Sequence, residues 1–182
     1  MKPKESTMAA KYAYAAYAVA KERKSLAVVL NDMGEVYSLF NNNEDIKKLF
    51  NNPTIGRSEK ITLIKKILSG KVSRHFMDIL ILVIRRKRES LFGEIYKIFS
   101  GLIDDENGVL RGKIQTAVGI EEAKLKTIQE KLSVIYKKNV VLESEIDESI
   151  IGGVVVKIKN KIIDGSLSGT LNRMKKELVY GN

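Results

Sequence analysis

The stretch Ile103-Asp104-Asp105-Glu106-Asn107-Gly108-Val109-Leu110-Arg111-Gly112-Lys113-Ile114-Gln115-Thr116 separates two kinds of pattern in this chain. Before it, apolar residues recur at helical spacing. After Gly108 they alternate, and Leu110, Gly112, Ile114, Thr116 and Val118 fall on one face of a strand. Residues 104–108 are polar and turn-prone, so a domain boundary is expected there. The expected fold is mainly α, with an N-terminal six-helix bundle over residues 1–105. A small α+β domain is expected over residues 106–182.

Upstream, the 3.6-residue period predicts helices over about 6–23, 25–40, 44–50, 57–68, 72–86 and 89–103. Ser6 is read as the first N-cap. Asn41-Asn42-Asn43 supplies a turn and the next cap, and Asn51-Asn52-Pro53 breaks the chain before the fourth helix. Short connectors between helices point to a bundle. Downstream, a strand at 109–118 is followed by an amphipathic helix at 121–137, a strand at 139–146 and a hairpin at 154–163. The hairpin is expected to turn at Lys159-Asn160, with Asn taking the positive φ. A helix over 167–180 closes the order β-α-β-β-β-α.

Composition removes several kinds of chemistry. The 182 residues include no Cys and a single His, His75, so disulfides, thiolate metal sites and cysteine nucleophiles are excluded. No Ser or Asp stands near His75 at a triad-like spacing, and His75 reads as a structural or surface residue. Asp104-Asp105-Glu106 lacks the spaced oxygen ligands of a cation loop. The glycines of Ile151-Gly152-Gly153-Val154 and of residues 165–169 match no phosphate-binding loop and read as turns or bulges. No catalytic, cofactor or metal residues are expected. No apolar run approaches the ~20 residues that span a bilayer. Residues 1–7 carry no signal-like apolar segment, so an intracellular protein is expected.

Lys and Arg total 32 against 22 Asp and Glu, a net charge of +10. The excess is +7 in the first 105 residues and +3 in the rest, so it is spread along the chain. The densest cluster is Arg85-Arg86-Lys87-Arg88. It reads either as cations offsetting a helix C-terminus or as a nucleic-acid-contacting patch. A basic RNA-binding or ribosome-associated protein is therefore the alternative function. The strands lack interleaved aromatic and basic residues, which weighs against a single-strand reader.

Two helices carry more apolar surface than one stripe. Phe76-Met77-Asp78-Ile79-Leu80-Ile81-Leu82-Val83-Ile84 is apolar almost all round. Tyr12-Ala13-Tyr14-Ala15-Ala16-Tyr17-Ala18-Val19-Ala20 is small or aromatic all round. Either both helices are central in the bundle, or each keeps one face for the core and offers the other to a partner's amphipathic helix. Tyr12, Ala15 and Val19 share one face of the first helix. Ile79, Leu82 and Arg86 share one face of the fifth.

A longer pattern adds a resemblance. Ile146-Asp147-Glu148-Ser149-Ile150-Ile151-Gly152-Gly153-Val154-Val155-Val156-Lys157-Ile158, with Ile162-Ile163-Asp164-Gly165-Ser166-Leu167-Ser168-Gly169-Thr170-Leu171, resembles the C-terminal signature of the F-type ATP synthase δ subunit family. The mitochondrial relative is the oligomycin-sensitivity-conferring protein. Tyr12-Ala13, Ala15 and Ala20, Asn52-Pro53-Thr54-Ile55, and Arg88 with Leu91, Ile95 and Phe99 resemble other family positions in the right order. The chain departs from the pattern at Ala16, where Leu is common. Arg86-Lys87 replaces Asn-Gly, and Lys159-Asn160 replaces a Gly-Asp-like turn.

The resemblance implies a non-catalytic stator subunit that joins the catalytic head to the peripheral stalk. It implies as partners the α subunits, through their N-terminal helices, and the C-terminal ends of the b subunits. The helix groove would comprise Tyr12, Ala15, Val19, Ile79, Leu82 and Arg86. The stalk contact would draw on Val154, Val156, Leu171 and Met174, which otherwise read as core. No cofactor, nucleic acid or direct membrane insertion is implied. One copy per complex is implied, peripheral on the cytoplasmic face of a bacterial cell membrane.

Overall fold

The computed structural model describes residues 3–52 and 54–180. The chain is mainly helical, with one small four-stranded sheet, and divides into two compact units, Met1–Ile103 and Asp104–Asn182. Pro53, part of the expected chain break, lies outside the described residues.

The first unit contains α1 (Pro3–Glu22), α2 (Leu26–Asn42), α3 (Glu44–Asn51), α4 (Arg57–Leu68) and α5 (Arg74–Arg85). A single 3₁₀ turn at Glu89–Leu91 leads into α6 (Phe92–Glu106), of which the part up to Ile103 belongs to this unit. α1 opens on Pro3, whose missing N–H costs nothing in a first turn. Ser6 therefore lies inside the helix and is not its cap. Asn43 does cap α3, its Oδ1 accepting the Ile46 N–H at 3.3 Å. Ser73 caps α5 by accepting the Phe76 N–H at 3.2 Å, and its own N–H donates to buried Asp32 at 2.8 Å.

Alanines on α1 (Ala9, Ala13, Ala16 and Ala20) are all buried, so α1 lies close on its neighbours. Four phenylalanines hold α2, α3, α5 and α6 together. Phe40 and Phe50 sit 4.4 Å apart, and Phe92 meets Phe40, Phe50 and Phe76 at 5.7–6.3 Å. Rings at these separations add about 1 kcal/mol per pair beyond the area they bury. α4 is tied in by an ion pair out of water, Lys60 Nζ to Glu89 Oε1 at 2.9 Å.

The run Asp104-Asp105-Glu106, expected as a turn, is the last turn of α6. Asp104 and Asp105 belong to the second unit, and their carboxylates pair within it. Asp104 accepts Arg111 at 2.7 Å, and Asp105 accepts Lys159 at 2.9 Å with Lys138 at 3.6 Å. The Lys159 hydrogen bond is the main reason the Asp105 carboxyl is held below the usual carboxylate range.

The second unit is built from β1 (Val109–Thr116), α7 (Glu122–Tyr136), β2 (Asn139–Ile146), β3 (Val154–Ile158), β4 (Lys161–Asp164) and α8 (Leu167–Tyr180). The sheet order is β2-β1-β3-β4, with β1 and β2 parallel and the other pairs antiparallel. A parallel pair needs a crossover, and α7 supplies it. Leu110, Ile114, Val140, Leu142, Val156 and Ile158 pack with Leu132 of α7 as the core. Val118 falls beyond the end of β1 and is exposed, so the strand is shorter than its alternation suggested. α7 also takes up outward N–H groups of edge strand β2. Ser133 Oγ accepts from Val140 at 2.9 Å, and Gln129 Oε1 from Leu142 at 2.8 Å. Gly112 has no room for a side chain, because a Cβ would stand 2.7 Å from the Lys157 carbonyl oxygen.

Candidate partner-binding surfaces

The groove candidates fall into two groups by exposure. Tyr12 and Ile79 are half-buried against the first core. Ala15 and Arg86 are exposed, with Val19 at 41% and Leu82 at 45%. The all-round apolar character of α5 resolves into two faces. Phe76, Leu80, Val83 and Ile84 are buried, while Ile79, Leu82 and Arg86 form a flank that reaches solvent. α1 divides the same way, with Ala9, Ala13, Ala16 and Ala20 inward and Tyr12, Ala15 and Val19 on a flank. α1 and α5 are neighbours in the unit. These faces can take an apolar helix stripe.

The end of α5 is closed by its own backbone. Arg88 N–H donates to Val83 O at 3.1 Å, and Lys87 N–H donates to Ile84 O at 3.0 Å. This is the 6→1 and 5→2 pairing of a Schellman end, and Lys87 holds its left-handed position at φ 53°. Arg85, Arg86, Lys87 and Arg88 are all exposed. Among the described residues, none of the four is in an ion pair.

In the second unit the stalk candidates do not form one surface. Val156 is only 3% exposed and belongs to the core; the alternation that puts Ile114 under α7 puts its partner Val156 there too. It is removed from the candidate surface. Val154 is half-buried on the same core. Leu171 and Met174 are exposed at 65% and 54%. They belong to a longer stripe that the sequence reading named only in part. Leu167, Leu171, Met174 and Leu178 occur every three or four residues on α8, and all four face solvent.

The glycine-rich pair of segments explains why α8 presents that stripe. Leu167 N–H donates to Gly152 O, and Gly165 N–H to Val154 O, both at 2.9 Å. Gly153 has φ 84°, and a Cβ on it would strike the Gly165 carbonyl. Asp164 Oδ1 accepts the Ser166 N–H at 2.9 Å and its hydroxyl at 2.6 Å, while Ser166 Oγ accepts the Gly169 N–H at 3.0 Å. Arg173 donates to the Asp164 carbonyl at 2.9 Å. Gly169 and Arg173 thus turn one side of α8 toward β4, leaving the leucines and Met174 on another. The segments form a clasp, not a phosphate loop.

Two clefts were not foreseen. One of about 770 Å³ runs along α2 between Ala27, Leu30, Gly34 and Leu39, with Tyr96 of α6 opposite. The other, about 680 Å³, lies among the end of β1, the start of α7 and residues 151–154. Among the described residues there is no metal-binding cluster. No helix among them is long and apolar enough to cross a membrane.

The sequence profile of the ATP synthase delta (OSCP) subunit family matches residues 8–178. The chain belongs to the ATP synthase δ (OSCP) family. The ATP synthase subunit delta of Clostridium botulinum (strain Loch Maree, Type A3) is 32% identical over 169 residues, covering 93% of this chain and 94% of that protein. The Clostridium acetobutylicum subunit is 31% identical over 173 residues, with the same coverage of both chains. A chain in the cryo-EM structure of the Toxoplasma gondii mitochondrial ATP synthase hexamer shares the fold at a TM-score of 0.78. Its identity is 15%, and the match covers 96% of this chain and 98% of that one. Lys87, where the resemblance described above has Gly, is the residue in the left-handed conformation.

Proposed function

We propose that this chain is the non-catalytic stator subunit that ties the catalytic head of an F-type ATP synthase to its peripheral stalk. The observation that carries this reading is the family match along residues 8–178, which leaves neither unit outside it. In this reading the first unit receives N-terminal helices of the α subunits on the flanks of α1 and α5. The second receives the C-terminal ends of the b subunits on the α8 stripe. The six helices of the first unit act as one rigid block, and a single copy serves each complex on the cytoplasmic face of the membrane. Proton-driven rotation exerts torque on the head, so a connector has to hold by slow dissociation. Apolar faces with a few anchoring side chains suit that task.

The test is reconstitution. Membranes stripped of this protein should lose head attachment and proton-coupled ATP synthesis, and both should return when it is added back. Unchanged coupling in stripped membranes would overturn the reading. At the residue level, Ala15→Asp should weaken binding of a synthetic α N-terminal peptide by about 3 kcal/mol, the scale of an unpaired buried charge. Equal affinity in a titration calorimeter removes the α1 flank from the site.

A further inference from the structure

We infer that the helix docking on the flank of α5 carries acidic residues at the end that lies over Arg86. This rests on the reading of that flank as a helix-docking surface and specifies the chemistry of its occupant. Arg86 follows Leu82 by one helical turn, so the apolar strip of half-buried Ile79 and exposed Leu82 runs directly into a cation. Arg85, Lys87 and Arg88 flank it in sequence and are exposed.

Cations at this position have an ordinary explanation, which is to satisfy the last carbonyls of the helix. Here the backbone already does so, through the amide groups of Arg86, Lys87 and Arg88 on Leu82, Ile84 and Val83. The four side chains are free to face a partner. Interaction with the helix dipole remains, but it acts only within the last turn and does not account for Lys87 and Arg88 beyond it. An apolar strip ending in unpaired positive charge complements an amphipathic helix whose apolar stripe ends in Asp or Glu. Such charges steer encounter and fix which way round the helix lies. The strip is continuous with the face already assigned to a helix, so a peptide is favoured over a lipid surface or RNA.

The test uses the full chain and three synthetic amphipathic peptides with one shared apolar stripe. The peptides end in a turn of Glu, of Gln or of Lys, and binding is read by fluorescence anisotropy. The Glu-ended peptide should bind about fivefold tighter than the Gln-ended one at low salt, the scale of a few exposed ion pairs. That preference should fade toward 1 M salt, where the screening length is only ~3 Å. In the R85E/R86E variant the order should reverse, so that the Lys-ended peptide binds best. A reversed preference also shows that the variant is folded.

Equal affinity for the three peptides, unaltered by R85E/R86E but lost in Leu82→Asp, overturns the charge inference and leaves the docking surface standing. No binding of any peptide overturns both. Vesicles containing phosphatidylglycerol, or a ribosomal RNA fragment, binding through Arg85 and Arg86 while the peptides do not, would also overturn it.

Discussion

Lys87 holds a left-handed backbone conformation that costs an L-residue roughly 1–2 kcal/mol and glycine almost nothing. Lys24 and Lys137 sit at the corresponding position after α1 and α7. Lys87→Gly should therefore raise stability by about 1 kcal/mol, read as a higher urea midpoint at unchanged slope. The opposite change is expected at Gly153. Gly153→Ala combines an unfavourable φ with collision against the Gly165 carbonyl, and should cost about 2 kcal/mol or more in the same assay. The sequence disclosed part of this. The turn at Lys159-Asn160 was legible from strand spacing, but the positive φ falls on Lys159, not on Asn160. Side-chain propensity favours Asn there, and the register that decides the matter is set by cross-strand pairing. Val156 misled for a related reason. A valine in an alternating strand gives no sign of which face is covered until the helix that covers it is placed.

At the scale of elements, the second unit depends on two matching turns. Asp147 and Asp164 each bind a serine two residues on, Ser149 and Ser166, through hydroxyl and backbone N–H. The serine hydroxyls first, and the N–H groups second, hold both carboxyls below the usual carboxylate value. A lowered folded value means the carboxylates stabilise the fold fully above pH ~4. That contribution is lost as pH falls further, through the folded values. Urea midpoints, followed by the NMR amide signals of Ser149 and Ser166, should drop below pH 4. They should drop less in an Asp147→Asn/Asp164→Asn variant; identical acid profiles would refute the account. In the first unit, Lys60→Met strands Glu89 out of water and should cost about 3 kcal/mol, most of it recovered in Lys60→Met/Glu89→Leu. Helix positions were readable from periodicity, because each buries a regular stripe. The end of α6 was not, since Arg111, Lys138 and Lys159 arrive from later in the chain.

For the molecule as a whole, the two units are unequal. Among the described residues the first core holds twenty buried apolar side chains and the second seven. The second unit nevertheless exposes Ile146, Ile151, Leu167, Leu171, Met174 and Leu178. Hydrogen exchange should find β1 to β4 opening more readily than α2, α5 and α6, and under the proposed stalk contact a stalk-derived peptide should slow exchange in the second unit alone. The division into helical and mixed halves was visible as a change of period. The outward stripe of α8 was seen only at Leu171 and Met174, because an apolar stripe on a terminal helix looks the same whether it faces a core or a partner.

As the proposed stalk contact, that stripe would also govern the chain before assembly. Molecules made in excess of their complex display four oily side chains to chaperones, proteases and one another. Surplus copies should be cleared, so that cellular abundance follows the supply of whatever covers α8. Exchanging Leu171 and Met174 for Gln should break that dependence, leaving orphan molecules long-lived in a pulse-chase and unable to join the machine.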